Sequence, residues 1–162
     1  MKVYISATPD VNIEFTDSVV SFLKSVGDTI HFERTFQMDY IKLEFVNKKF
    51  KLKEKVNNLS FTEFFKLTDY YRKLIEIEKE DYMILLTNIS NNKEWYSAFD
   101  KNNIFVNCSE LKGVLGDKLI YGIAYQCIEN IFQSLIHLDI NKYLSEPNIH
   151  FQPVGCINDY CD

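Results

Sequence analysis

The chain has 162 residues, of which 46% are hydrophobic and 15% aromatic, and a formal net charge of −5. The acidic balance disfavours general binding to nucleic-acid phosphates, and no apolar run is long enough to cross a membrane. We expect one domain over residues 1–162, because Gly and Pro are too scarce to indicate a linker, and a cytoplasmic location, because four cysteines without an export signal are typical of reduced thiols.

The first half of the chain is predicted to alternate strands and helices. Residues 2–8, KVYISAT, alternate and are rich in β-forming residues, and apolar residues recur at helical spacing from about Ile13. Ser60 and Glu63 have the spacing of a capping box at the start of a second helix. Three further short segments with high β-propensity are predicted strands: residues 29–34, 40–46 and 50–56. The last two are expected to pair as a hairpin.

The second half contains the strongest single signals. Residues 82–87, YMILLT, are nearly all apolar, which predicts a central strand covered on both faces, and residues 104–108 predict another strand. From residue 116 a long helix is expected to be deeply buried by a broad apolar face, made of Ile120, Ile123, Ala124, Cys127, Ile128, Ile131, Leu135 and Ile136. Four polar residues that share one face of this helix are interpreted as its solvent-facing side: Gln126, Glu129, Asn130 and Gln133. The whole order predicts an α/β fold with a mixed sheet flanked by about three helices.

Cysteine and histidine residues cluster at the end of the chain. Cys156 and Cys161 lie four residues apart within GCINDYCD, and His150 precedes them. Zinc prefers such ligands in groups of four, so these three residues are candidate ligands of a structural zinc. The alternative is a pair of free thiols on a terminal segment.

Lysines alternate with apolar residues in the predicted hairpin. The sequence KKFKLKEK places four of them on one strand face: Lys49, Lys51, Lys53 and Lys55. This basic patch is suited to a phosphate backbone or an acidic partner. Lysines that guard an edge strand against aggregation produce the same pattern.

Polar residues follow the first predicted strand. Ser6, Thr8 and Asp10 lie between a strand and a helix, where α/β sheets commonly bind ligands, so they are candidates to hold a ribose or phosphate. They are equally suited to cap the helix and form the turn. The chain has no Gly-rich phosphate loop and no H-E-x-x-H, so we expect no catalytic motif of these kinds.

The C-terminal half resembles the archaemetzincin branch of the zincin metalloproteases. In that family a central strand leads through a loop and an edge strand into a helix bearing H-E-x-x-H, followed by C-x4-C and a later C-x2-C for a structural zinc. Here YMILLT, NNKEWYSAFDKNNIFVNCSEL, the helix of residues 119–137 and the Cys156 and Cys161 pair follow a similar order. Tyr125, Gln126 and Glu129 stand where the family has His, Glu and His.

This resemblance implies a zincin-like domain without protease chemistry. It implies that Cys156 and Cys161 are structural zinc ligands and that the chain is the N-terminal part of a longer, bacterial-type protein. The expected function is binding or regulation, through a protein partner or further domains of the same chain.

The N-terminal segment supports a second resemblance. MKVYISATPD followed by a helix is similar to the start of nucleoside deoxyribosyltransferases and TIR-like domains. That likeness implies a nucleotide-processing enzyme whose first loop lines the pocket, and such enzymes need a carboxylate there. Glu94, in NNKEWYSAF, is the candidate for that role, together with Asp10.

Overall fold

The fold is given by a computed structural model that describes residues 1–37 and 58–137. Its strands are β1 (Lys2–Ala7), β2 (His31–Arg34), β3 (Asn58–Leu59), β4 (Tyr82–Thr87), β5 (Ser90–Asn91), β6 (Ser97–Asp100) and β7 (Asn103–Asn107). Its helices are α1 (Ile13–Ser25), α2 (Phe61–Leu74), α3 (Cys108–Leu115) and α4 (Leu119–Ile136), with a 3-10 turn over Gly116–Lys118. Among these described segments, no helix combines the length and apolar character needed to cross a membrane.

Five strands form one mixed sheet in the order β2, β1, β4, β7, β6. The first four are parallel, and β6 runs antiparallel to β7 at the edge. The short strands β3 and β5 pair separately in parallel. The predicted α/β fold with a mixed sheet and flanking helices is therefore confirmed, with three longer helices and the eight-residue α3 in the described part of the chain.

The centre of the sheet is β4, as the apolar run predicts. All six of its residues are buried, and Ile84 pairs with Ile5 of β1 on one side and Ile104 of β7 on the other. A strand with helices over both faces has no wet side, which explains why this segment lacks polar alternation.

Helices cover the two faces of the sheet. Helix α1 packs against α4, and α2 packs on β7 and β4, where Phe64 stacks on Phe105 with ring centroids 4.3 Å apart. The chain leaves β1 toward β2 on one side and later enters β4 on the other side. Right-handed crossovers in opposite directions place α1 and α2 on opposite faces.

Helix α2 begins with the predicted capping box. The Ser60 hydroxyl oxygen accepts from the backbone N–H of Glu63, and the Glu63 carboxylate accepts from the backbone N–H of Ser60 at 2.8 Å. At the other end, the half-buried Arg72 guanidinium donates to the carbonyls of Glu78, Asp81 and Asn102 at 2.8 to 3.0 Å. The helix is therefore fixed at both ends.

Several boundaries differ from the prediction. The strand expected over residues 104–108 ends at Asn107, because its side chain accepts from the backbone N–H of Ser109 and Glu110 and so caps α3. Helix α3 and strand β6 were not predicted as elements by the periodicity. The strand expected from residue 29 begins at His31. The strands predicted over residues 40–46 and 50–56 lie outside the described residues.

The expectation that α4 is deeply buried by all of its apolar residues is wrong at its end. Ile123, Cys127 and Ile131 are fully buried, but Leu135 is 61% exposed and Ile136 75% exposed. The last turn still contacts the sheet through Ser134, whose hydroxyl donates to the Tyr82 hydroxyl oxygen of β4 at 3.0 Å, while Leu135 and Ile136 point away from it.

Candidate functional site

The loop after β1 is held together by its own side chains. Thr8 is fully buried; its hydroxyl donates to the Asp10 carboxylate and lies 3.1 Å from the Thr87 hydroxyl oxygen. Ser6, also buried, donates to the carbonyl of Phe36 at 2.8 Å. The hydroxyls predicted for a ligand thus take part in hydrogen bonds within the chain.

Two amides that the sequence did not single out bind the same loop. The Asn88 side chain donates to the Asp10 carbonyl at 2.7 Å, and the Gln37 side chain donates to the carbonyls of Thr8 and Val11, both at 2.7 Å. Neither residue is near the loop in sequence, so only the pairing of β1 with its neighbours could reveal them. The loop lies where the chain leaves β1 and β4 in different directions, the point at which open α/β sheets usually bind ligands.

Glu94 lies between β5 and β6, in a different segment from the loop after β1. It is exposed, with a φ of 58°, in the turn after β5. Burial raises the pKa of the Glu110 carboxyl, a hydrogen bond from Ser90 opposes that rise, and the negative charge of Glu94 adds to it. Asp10 belongs to the loop after β1, where its carboxylate accepts from Thr8.

The polar residues of α4 are buried, so their interpretation as a solvent-facing side is wrong. Gln126, Glu129, Asn130 and Gln133 are between 2% and 8% exposed. Their spacing of three, one and three residues puts them on one helix face, which we call the polar strip. For Gln126 and Asn130, the partner that the sequence did not reveal is Ser97 in β6.

Hydrogen bonds join the polar strip to the edge strand. The Ser97 hydroxyl donates to the side-chain carbonyl of Gln126, and the Asn130 amide donates to the Ser97 hydroxyl oxygen at 2.8 Å and to the Gln126 backbone carbonyl at 2.8 Å. One turn on, the Gln133 amide donates to the Glu129 carboxylate. Buried polar groups are retained when they are paired, and this network pairs them.

The three positions of α4 that the resemblance aligns with His, Glu and His carry residues of other types. Of Tyr125, Gln126 and Glu129, only Glu129 has a side chain of a type that zinc commonly uses, since the usual donors are Cys, His and carboxylate. Across residues 1–37 and 58–137, no three His, Cys, Asp or Glu side chains are grouped so as to hold a metal ion. The donor set of α4 therefore does not fit a catalytic zinc.

The two described cysteines are packed thiols. Cys108 and Cys127 are free and buried, and Cys127 lies on the apolar face of α4, as predicted. Burial raises the pKa of the Cys108 thiol to about 12, and burial also raises that of Cys127. Neither thiol is ionised at neutral pH, so neither is an activated nucleophile.

The remaining predicted site residues lie outside the described residues. These are the candidate zinc ligands His150, Cys156 and Cys161, and the basic patch Lys49, Lys51, Lys53 and Lys55.

Comparisons of this chain with protein-family models, with curated proteins and with solved structures found no match.

Proposed function

We propose that this chain is a non-catalytic binding or regulatory domain with a zincin-like arrangement of sheet and helix. The observation that carries the proposal is the network of Ser97, Gln126 and Asn130. The hydrogen bonds of this network occupy the face of α4 on which the resemblance places the family's metal-binding motif.

The order of elements supports the zincin-like arrangement. Central strand β4 is followed by the short β5, the antiparallel edge strand β6, the inner strand β7, the short helix α3 and then the long helix α4. The central strand, the edge strand and the long helix therefore follow one another in the order on which the resemblance rests, with β7 and α3 between the edge strand and the long helix. Helix α4 also packs on β6 and β7, so the helix and the edge strand are neighbours in space.

The chemistry of α4 supports the absence of protease activity. A catalytic zinc needs three protein ligands and an open position for water. Gln126 offers a neutral amide already bound by Ser97, and it has no ionisable group with which to act as a general base. The buried Glu129 carboxylate accepts from Gln133.

The partner we propose is a protein or a further domain of the same chain, in the cytoplasm. The exposed apolar residues at the end of α4 and the buried free thiols Cys108 and Cys127 support this choice. The net charge of −5 disfavours nucleic acid. We also propose a structural zinc bound by Cys156, Cys161 and His150, because Cys and His are the usual ligands of zinc in proteins.

A peptide-hydrolysis assay tests the proposal. The purified chain, supplied with zinc, is incubated with a mixture of unstructured peptides, and products are followed by mass spectrometry. We expect no cleavage above a heat-inactivated control. Cleavage that disappears in the Glu129→Gln variant would overturn the proposal, because it would make α4 a working metalloprotease helix.

A second candidate is the nucleotide-processing enzyme, favoured by the position of Thr8 and Asp10 at the switch between β1 and β4. Two observations count against this candidate. The Thr8 hydroxyl donates to the Asp10 carboxylate, and the negative charge of Glu94 acts on the Glu110 carboxyl. Incubation with NAD and with nucleosides decides the matter. Turnover that is lost in the Asp10→Asn variant would favour this candidate over the first.

A further inference from the structure

Two aromatic side chains form a corner beside the segment that follows β5. Phe61 is the first residue of α2, and Trp95, the single tryptophan of the chain, lies between β5 and β6. Their ring centroids are 5.7 Å apart, and the two ring planes meet at an angle of 67°. We call this pair of rings the aromatic corner.

The ammonium group of Lys93 lies over both rings of the aromatic corner. Its Nζ atom is 4.9 Å from the ring centroid of Phe61 and 5.8 Å from that of Trp95. The face of an aromatic ring carries partial negative charge and attracts a cation within about 6 Å of its centroid. One cation therefore interacts with two rings at once, and the corner is a cation site that a side chain of the chain itself occupies.

The fold holds both walls of the corner in place. The Asn91 side chain, which is 1% exposed, accepts from the backbone N–H groups of Lys93 and Trp95, both at 3.1 Å, and donates to the Trp95 carbonyl at 2.6 Å. Phe61 is anchored to the core by an edge-on contact with Phe105 of β7, with ring centroids 5.4 Å apart. Walls that are ordered before a ligand arrives lose little entropy when it binds.

Lys93 is a replaceable occupant of the corner. The residue is exposed, and its ammonium is a compact, strongly hydrated charge on a flexible stem of four carbons. The attraction between a ring and a cation is weak at an exposed site, and the rotamer entropy lost by a long side chain opposes it. Another cation that gains more from the rings can therefore displace the lysine.

A quaternary ammonium group is the cation that gains more. It carries the same charge as lysine but has no N–H groups for water to bind, so it gives up less hydration when it moves onto a ring face. Aromatic walls are accordingly the usual means by which proteins recognise choline-like groups. The net charge of −5 also favours the approach of a cation to this chain.

We propose that the aromatic corner of Phe61 and Trp95 binds a small organic cation with a quaternary ammonium group, and that Lys93 occupies the corner until that cation binds. This inference rests on the geometry of the rings and is independent of the proposed function. The two cations compete for the same position, so the affinity for the ligand is reduced by the fraction of molecules in which the lysine lies over the rings.

The fluorescence of Trp95 tests the proposal directly, because the chain has no other tryptophan. The full chain is titrated with choline at constant ionic strength, with sodium as the replaced cation, and in parallel with dimethylbutanol, the neutral alcohol in which carbon replaces the charged nitrogen. We expect a saturable change with choline and an affinity for the neutral alcohol that is lower by about tenfold or more. Equal affinities for the two compounds, or no saturable change with choline, would overturn the proposal.

Two lysine variants test the competition. Lys93→Ala removes the resident cation and should tighten the binding of choline by about threefold or more. The matched control is Lys73→Ala, which removes the same charge from an exposed lysine at the other end of α2 and should leave the affinity unchanged. Binding that is unchanged or weakened in Lys93→Ala would overturn the role of the lysine as a competing occupant.

A change in one wall tests the site itself. Phe61→Leu keeps an apolar side chain but removes one ring face, and it leaves Trp95 as the fluorescent reporter. We expect the affinity for choline to fall by about tenfold. Circular dichroism establishes that the variants are folded, and choline that binds a folded Phe61→Leu variant as tightly as the unmodified chain would overturn the assignment of the site.

Discussion

Helices α2 and α4 cover the same sheet and distribute their polarity in opposite ways. In α2 the buried residues are mainly apolar, such as Phe64 and Leu67, and the exposed ones include Lys66 and Asp69. In α4 the polar strip is buried, whereas Phe132, Leu135 and Ile136 are exposed. The comparison shows that hydrophobic burial fixes α2, whereas α4 is held by hydrogen bonds to an edge strand in addition to its buried apolar residues.

The largest expected effect on stability is at the buried Phe64 of α2, and the exposed Phe132 of α4 serves as the comparison. Phe64→Ala should lower the free energy of unfolding by about 3–5 kcal/mol, because it leaves a cavity beside Phe105. The same change at Phe132, which is 44% exposed, should cost far less in the monomer. Urea unfolding at low protein concentration measures both, and equal losses would contradict the assignment of inner and outer faces.

The polar strip should be the next most sensitive region. Asn130→Leu removes two hydrogen bonds and leaves the Ser97 hydroxyl and the Gln126 carbonyl without this donor, at a cost of about 2–3 kcal/mol. Ser97→Ala alone and the double variant complete a cycle measured by urea unfolding. We expect the double variant to cost less than the sum of the two, and simple additivity would show that the residues do not interact.

The start of α2 offers a smaller, pH-dependent effect. Ser60→Ala should cost about 1 kcal/mol by removing the cap. The hydrogen bonds from Ser60 hold the pKa of Glu63 below its usual 4.5, so their contribution is complete above pH 4.5 and is lost as the pH falls through the lowered value. The unfolding curves of the unmodified chain and of Ser60→Ala should therefore become more similar as the pH falls. A difference in the free energy of unfolding that grows in acid would contradict the capping box.

The smallest effect on stability is expected at the exposed end of α4. Leu135→Asp should change the free energy of unfolding by no more than about 0.5 kcal/mol, since the Leu135 side chain is 61% exposed to water. Thermal unfolding at low protein concentration measures this. A loss of several kcal/mol would mean that the residue is packed within the monomer.

The elements that the sequence predicts correctly are those with local signals. The run Tyr82–Thr87 is apolar because both faces are covered, and Ser60 and Glu63 cap each other within one turn. Each of these patterns lies within a few consecutive residues, so it can be recognised in the sequence without knowledge of the rest of the fold. Their positions alone locate the central strand β4 and the start of α2.

The candidate site was less predictable because its partners are distant in sequence. Asn130 and Ser97 lie 33 residues apart, and Gln37 reaches Thr8 across 29 residues. The spacing of the polar strip shows that its residues share a face, but only the position of β6 shows that this face is buried. Strand β6 itself has four residues, too few for a clear alternation.

The zinc content of the purified chain tests the central claim, that α4 is held by hydrogen bonds and is not a metal site. Elemental analysis compares the unmodified chain, the Glu129→Gln variant and a variant carrying both Cys156→Ser and Cys161→Ser. We predict that Glu129→Gln leaves the zinc content unchanged and that any bound zinc is lost in the double cysteine variant. Zinc that is retained in the cysteine variant and lost in Glu129→Gln would contradict the account.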